Sequence, residues 1–187
     1  MNDDLKSALE VLQKGGVILY PTDTVWGIGC DACNEEAVQK VYAIKNRNDS
    51  KSMLVLMENA ALLDRYVDEV PDIAFDLIEL TDKPLTIVYD GAKNMAKNLV
   101  AEDGSIGIRI TSEAFSSELI RRFKRPIVST SANRSGNSSP SCFDEIDREI
   151  IDAVDYVVKY RQDDPHKAVP SGIIRLGRGG EIKVIRE

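Results

Sequence analysis

Two hydroxyl-rich stretches, YPTDTVWG at Tyr20 to Gly27 and STSANRSG at Ser129 to Gly136, hold the residues best suited to chemistry, and Lys45-Asn46-Arg47 lies between them in sequence. Side-chain hydroxyls and turn N–H groups are donors to anionic oxygens. Arginine adds a planar fork for paired phosphate oxygens and lysine a compact charge, so Lys45 and Arg47 suit a triphosphate. Together these residues describe a pocket for a polyanion and a small polar ligand. Taken singly, each stretch reads equally well as a tight turn. A Lys-x-Arg pair at a helix end can also serve only to stabilise the helix dipole.

Other residues bound the chemistry. Arg109 stands between Ile108 and Ile110 in a strand-like run, a pattern that fits either a solvent-facing arginine or one aimed into a pocket. The second stretch lacks a Gly-Lys-Ser/Thr ending, which disfavours a conventional phosphate-loop ATPase. Cys30-Asp-Ala-Cys33 has the spacing of a redox or zinc pair, but no second pair follows and the sole histidine, His166, is distant in sequence, so small packing side chains are the expected role. A net charge of −7 argues against a broad nucleic-acid footprint. Hydrophobic residues at 43% and charged residues at 29% suit a globular chain, and no apolar run approaches the roughly 20 residues of a membrane span. The acidic, amphipathic start MNDDLKSALE does not read as a secretion signal, so a cytoplasmic protein without membrane contact is expected.

The elements that must position these residues are legible as periodicities. Leu5, Ala8, Leu9 and Leu12 mark a helix capped by Asp3 or Asp4 and stopped at Gly15-Gly16, which feeds a strand at Gly16 to Leu19. Asn34-Glu35-Glu36 opens a second helix ending near Lys45. Further helices are expected over 59–66, 71–81, 112–123 capped by Ser112, and 141–151. Strands are expected over 53–57, 85–89, 106–110, 127–129, 156–159, 172–176 and 182–185, the last two as a hairpin across Gly177 to Gly180. The class is α/β with a mixed sheet in one domain, and 162–170 reads as a surface connection or lid.

Read in order, YPTDTVWGIGCDA, Lys45-x-Arg47, PLTIV, GSIGIRI, STSANRSG with Ser139-Pro140 beyond it, and PSGII resemble the YrdC/TsaC family of L-threonylcarbamoyladenylate synthases over most of the chain, in its short stand-alone form. The resemblance implies one YrdC-like domain over residues 1–187, an open twisted mixed sheet with flanking helices and a concave ligand pocket. It implies that Lys45 and Arg47 are catalytic and bind ATP, together with Lys51, Ser105, Ser131, Asn133, Ser139 and Arg186. Threonine would meet Thr24, the backbone near Leu56, Arg109, Ser129 and Ser171, with Arg109 available to a carboxylate or a phosphate. Arg134 falls at a variable position and is expected at the surface.

The implied reaction joins L-threonine, bicarbonate and ATP, with Mg²⁺, into threonylcarbamoyl-adenylate and diphosphate, the donor for threonylcarbamoyladenosine in tRNAs reading ANN codons. No protein metal ligand is assigned. Asp23 is the nearest carboxylate, and it can equally cap its own turn. Transient partners would be tRNA or a downstream transferase complex. The chain departs from the pattern at Asn48 and Ser52, where many relatives carry proline, and at Ser171-Gly172-Ile173-Ile174-Arg175, where relatives often carry Ser-Thr, two apolar residues and Asp. A tRNA or double-stranded RNA binding module is the alternative reading, and carbamoyl transfer through an adenylate ranks below both.

Overall fold

In the computed structural model, which describes residues 1–46, 53–164 and 169–187, helix α1 (Asn2–Gln13) buries Leu5, Ala8 and Leu12 as one face. Each such leucine contributes about 1.5–3 kcal/mol by leaving water. Arg47, Lys51, the Asn48 and Ser52 departures and His166 lie outside the described residues. Asp4 does not cap α1. It is buried and accepts hydrogen bonds from the Tyr156 hydroxyl (2.6 Å) and Lys159 N–H (3.0 Å), tying the helix to the far end of the sheet.

Strands β1 (Ile18–Tyr20) and β2 (Gly27–Gly29) flank the first hydroxyl-rich stretch as an antiparallel pair. Helix α2 (Glu35–Lys45) starts where Asn34 Oδ1 accepts from the N–H groups of Glu36 and Ala37. It stops where Asn46 turns left-handed at φ 49°, a conformation asparagine tolerates better than most residues. Strand β3 (Leu54–Met57), helix α3 (Ile73–Leu80) and strands β4 (Leu85–Tyr89) and β5 (Ile106–Ile110) follow, with Ala60–Arg65 forming a tighter 3₁₀ turn in place of the expected α-helix. Helix α4 (Ala114–Phe123) is capped by Glu113 rather than Ser112, because the longer side chain reaches back to accept from Ser116 N–H at 2.7 Å.

Strand β6 (Ile127–Ser131) carries the start of the second stretch. The helix expected over 141–151 is split into a 3₁₀ turn at Phe143–Glu145 and helix α5 (Arg148–Ala153), with extended backbone at Ile146 turning that side chain into the core. Strands β7 (Tyr156–Val157), β8 (Gly172–Leu176) and β9 (Ile182–Arg186) complete the order, the last two as the expected antiparallel hairpin.

Among the described residues the strands form one nine-stranded mixed sheet in the order β7-β1-β2-β6-β3-β5-β4-β8-β9. β3 runs parallel to β5, and β4 parallel to β8. Side chains alternate across a strand, so Ile106 and Ile108 enter the core while Ser105, Gly107 and Arg109 share the opposite face. Gly107 keeps that face low. A Cβ there would stand 3.4 Å from both Leu54 Cβ and Thr86 Cγ2. Edge strand β9 is exposed along its length, Ile182, Val184 and Ile185 included. Among the described residues no helix is long and apolar enough to cross a membrane.

Candidate functional site

The low face of the sheet holds a cavity of about 250 Å³. The β1–β2 stretch contributes Thr24, β5 contributes Arg109, β6 and its extension contribute Ser129, Ser131 and Ser139, and the β8–β9 hairpin contributes Ser171 and Arg186. Seven of the thirteen sequence-derived candidates therefore line one space. Met53, Leu54 and Ile173 add an apolar wall with no side-chain polarity to mark it in the sequence.

The β1–β2 stretch is shaped by its own hydroxyls and by close packing. Thr22 Oγ1 donates to Val25 O at 2.8 Å and accepts from Thr24 N–H at 3.0 Å, fixing the turn. Tyr20 lays its ring over β2 and donates its hydroxyl to Val128 O at 3.1 Å. That ring stands 2.6 Å from where a Cβ of Gly29 would be, and the Val128 carbonyl also occupies that space, so only glycine fits. Burial pushes the Tyr20 hydroxyl well above its ordinary titration range, so it remains a neutral donor.

Arg109 is 3% exposed and is the electrostatic centre of the cavity. Its Nη2 lies 3.0 Å from Asp23 Oδ1 and donates to Thr24 Oγ1 at 3.1 Å, while its Nε has no partner among the described residues. Burial raises the Asp23 carboxyl above the usual carboxylate range, and the neighbouring guanidinium opposes that rise. Burial likewise disfavours the charge on Arg109, with Asp23 opposing. Arg186 is close enough to repel Arg109 electrostatically, and its Nε and Nη2 both donate to Ser171 O, at 2.9 and 2.8 Å. Among the described residues no carboxylate lines this cavity. A chain of net charge −7 has thus built a local cationic, donor-rich recess.

Four candidates sit elsewhere. Lys45 is buried behind the second stretch, where its Nζ donates to the carbonyls of Ser131 and Asn133, both at 2.6 Å, while its own carbonyl accepts from Ser135 N–H. Asn133 is turned inward: Nδ2 donates to Arg134 O and Asn137 O, and Oδ1 is buried without a hydrogen-bond partner among the described residues. Leu56 is wholly buried between Arg109 on β5 and Ile127 on β6. Ser105 shares the face of Arg109 but lies beyond the cavity, its hydroxyl donating to Asp103 Oδ1 at 2.6 Å.

Arg134 pairs with Glu149 in solvent, as its expected surface position requires. Arg175, the departure from the resembling pattern, reaches away to Asp90 (2.6 Å) and Asp103 (2.8 Å). Cys30 is buried, and Cys33 donates its thiol to Asn94 O. Two contributors had little sequence signal: Thr86, whose hydroxyl meets that of Ser171 at 2.8 Å, and Asp23 as the partner of Arg109. Thr86 reads as an ordinary β-former, and only the register of β4 beside β8 brings it to the site.

Comparison with known proteins places this architecture. The family model Sua5_yciO_yrdC, described as telomere recombination, matches residues 10–187. A threonylcarbamoyl-AMP synthase of Pseudoalteromonas translucida is 34% identical over 82% of this chain and 84% of its own. A putative threonylcarbamoyl-AMP synthase of Methanocaldococcus jannaschii is 37% identical over 99% of this chain and 87% of its own. In fold, YciO of E. coli superposes with a TM-score of 0.82 at 24% identity, over 100% of this chain and 90% of that one. Sua5 of P. abyssi complexed with L-threonine gives 0.82 at 22% identity over 92% of this chain, which spans only 50% of that longer protein. With the model matching nearly end to end and the same mixed sheet beneath the cavity, the chain belongs to the Sua5/YciO/YrdC family.

Proposed function

We propose that this protein is a threonylcarbamoyl-AMP synthase, forming threonylcarbamoyl-AMP and diphosphate from L-threonine, bicarbonate and ATP. The observation that carries the reading is the recess lined by Arg109, Arg186 and the hydroxyls of Thr24, Ser129, Ser131, Ser139 and Ser171, with no carboxylate on its wall among the described residues. Such a surface suits a carboxylate and a phosphate bound side by side. Relatives named for this activity, at 34 and 37% identity, support it.

The threonine amine, once neutral, adds to the carbon of bicarbonate with loss of water, giving a carbamate. A carbamate oxygen then attacks the α-phosphorus of ATP, and the bond to the leaving diphosphate breaks. Little covalent work falls to the protein, so holding the reactants in line and stabilising charge supply the catalysis. Arg109 receives the amino-acid carboxylate on its unpartnered Nε, and Ser171 and Thr24 border the same ligand. Ser129 borders the amino acid, and Ser131 and Ser139 extend toward the nucleotide. Lys45 acts through the turn it holds, and Arg47 and Lys51 are proposed phosphate ligands on their sequence positions.

Mg²⁺ fits this donor set as a companion of ATP, because magnesium keeps waters and substrate phosphates as ligands and needs few protein carboxylates. It would neutralise phosphate charge. Asp23 is already committed to Arg109. A product destined for a transferase acting on tRNA is consistent with work in the cytoplasm.

The test is to incubate purified protein with ATP, Mg²⁺ and bicarbonate, with and without L-threonine, following diphosphate release and product mass. Threonine-dependent threonylcarbamoyl-AMP is expected. Its absence from folded protein, alongside salt-sensitive RNA binding, would replace the synthase reading with the binding module.

A further inference from the structure

Beneath the cavity wall, Thr86 on β4 meets Ser171 at the entrance to β8, their hydroxyl oxygens 2.8 Å apart and the two residues 1% and 3% exposed. A pair of hydroxyls shares one proton between two oxygens, leaving the second proton to be placed elsewhere. Thr86 Oγ1 has no other hydrogen-bond partner among the described residues, and the residue is buried. If Ser171 donated to Thr86, the Thr86 proton would be buried without an acceptor, the costlier arrangement. The proton order that leaves nothing unsatisfied has Thr86 donating to Ser171. Ser171, which lines the cavity, then directs its own proton into that space.

The rest of Ser171 is equally constrained. Its carbonyl is forked by Arg186 Nε and Nη2, and the N–H of the following Gly172 donates to Pro84 O at 3.1 Å, two residues before Thr86. Main-chain position and hydroxyl direction are therefore set from opposite sides, the first by Arg186 and the β4–β8 pairing, the second, among the described residues, by Thr86.

We propose that Thr86 is a positioning residue for the amino-acid substrate: it holds the Ser171 hydroxyl as a donor aimed at an oxygen of the threonine, without itself touching the ligand. The inference rests on the synthase reading. It also explains why a buried, polar β-branched residue stands where valine, of nearly the same shape, would pack without needing a partner.

The experiment is a double-mutant cycle on the full chain with T86V, S171A and the double variant, measuring kcat and KM for threonine and for ATP separately. T86V is expected to raise the KM for threonine about tenfold, the loss of roughly one well-oriented hydrogen bond. The KM for ATP should stay within about twofold, and T86S should recover most of the loss by restoring the donor. Because both residues act through one hydroxyl, the double variant should be no worse than S171A. Additive losses, an equal shift in both KM values, an unchanged threonine KM in T86V, or no recovery in T86S would each overturn the proposal. If T86V folds poorly by thermal melting, T86A takes its place in the cycle. Wild-type protein assayed in parallel separates the two claims: an inactive wild type removes the synthase reading and this inference with it, whereas an active wild type with an indifferent T86V removes the inference alone.

Discussion

The ammonium of Lys45, at the last position of α2, lies 2.6 Å from the carbonyl oxygen of Ser131, at the last position of β6, and binds the Asn133 carbonyl at the same distance. One side chain thus anchors the start of the second hydroxyl-rich stretch to a helix of the other half of the sequence. Hydrogen bonds to a buried charge are among the stronger ones, and removing this donor leaves two carbonyls without it. K45A is expected to lose about 2–3 kcal/mol of stability, seen as a fall of roughly 4–12 °C in Tm by calorimetry. Activity should fall with it. An unchanged Tm with activity abolished would show instead that the ammonium works on the nucleotide.

Asp23 and Arg109 form a buried pair whose side chains are 8% and 3% exposed. D23A leaves the guanidinium buried without its counter-charge and should cost about 3–5 kcal/mol in urea unfolding. Replacing both, as D23A/R109M, should recover much of that stability while abolishing threonine-dependent turnover. A harmless D23A would mean that solvent already compensates Arg109.

Acid stability has a specific contributor at the other end of the same face. Asp103 accepts from Ser105 and is gripped by Arg175, which together hold its carboxyl down at about 2 against an ordinary 3.8. A depressed folded-state value adds stability that is complete above the ordinary value and is lost as pH falls through about 2. The raised carboxyl of Asp23 has the opposite sign, its contribution declining as pH rises above the ordinary value. D103N should therefore flatten the fall in unfolding midpoint between about pH 4 and 2; a wild-type slope retained in D103N would assign that fall to other acids.

Gly29 offers a test of packing without polarity. A methyl group there meets the Tyr20 ring and the Val128 carbonyl, one a wedged aromatic and the other backbone, so neither yields cheaply. G29A should cost about 1–3 kcal/mol and loosen the β1–β2 stretch. Tyr20→Leu in the G29A background should return part of that stability by freeing the space. Chemical denaturation of the three proteins decides it.

Much of the framework was legible because its causes are local. Asn34 has the one side chain that can cap α2 at its observed start, and the alternation around Arg109 fixed β5 to the residue. Local pattern could not say which side of β5 faces solvent, because the cover over Arg109 arrives from the distant β1–β2 and β8–β9 stretches. Ser105 shows the same limit. It lies on the face of Arg109, but its hydroxyl is already donated to Asp103, two residues earlier. Lys45 stands out in the sequence by its charge. Its carbonyl partners carry no side-chain signature and could not be read from sequence. Thr86 was hidden for a related reason, since its significance depends on a parallel neighbour strand supplied late in the chain.

The cavity draws Thr24 from the β1–β2 connection and Arg186 from the last strand, so no early portion of the chain contains the whole of it. During synthesis the first stretch can meet Arg109 once β5 is made, but Ser171 and Arg186 are missing from the cavity until the β8–β9 hairpin has emerged and paired with β4. Binding competence should appear as the final event of folding, later than helix content or core burial. A destabilised hairpin would then give a protein that looks folded to spectroscopy and still cannot hold its substrate.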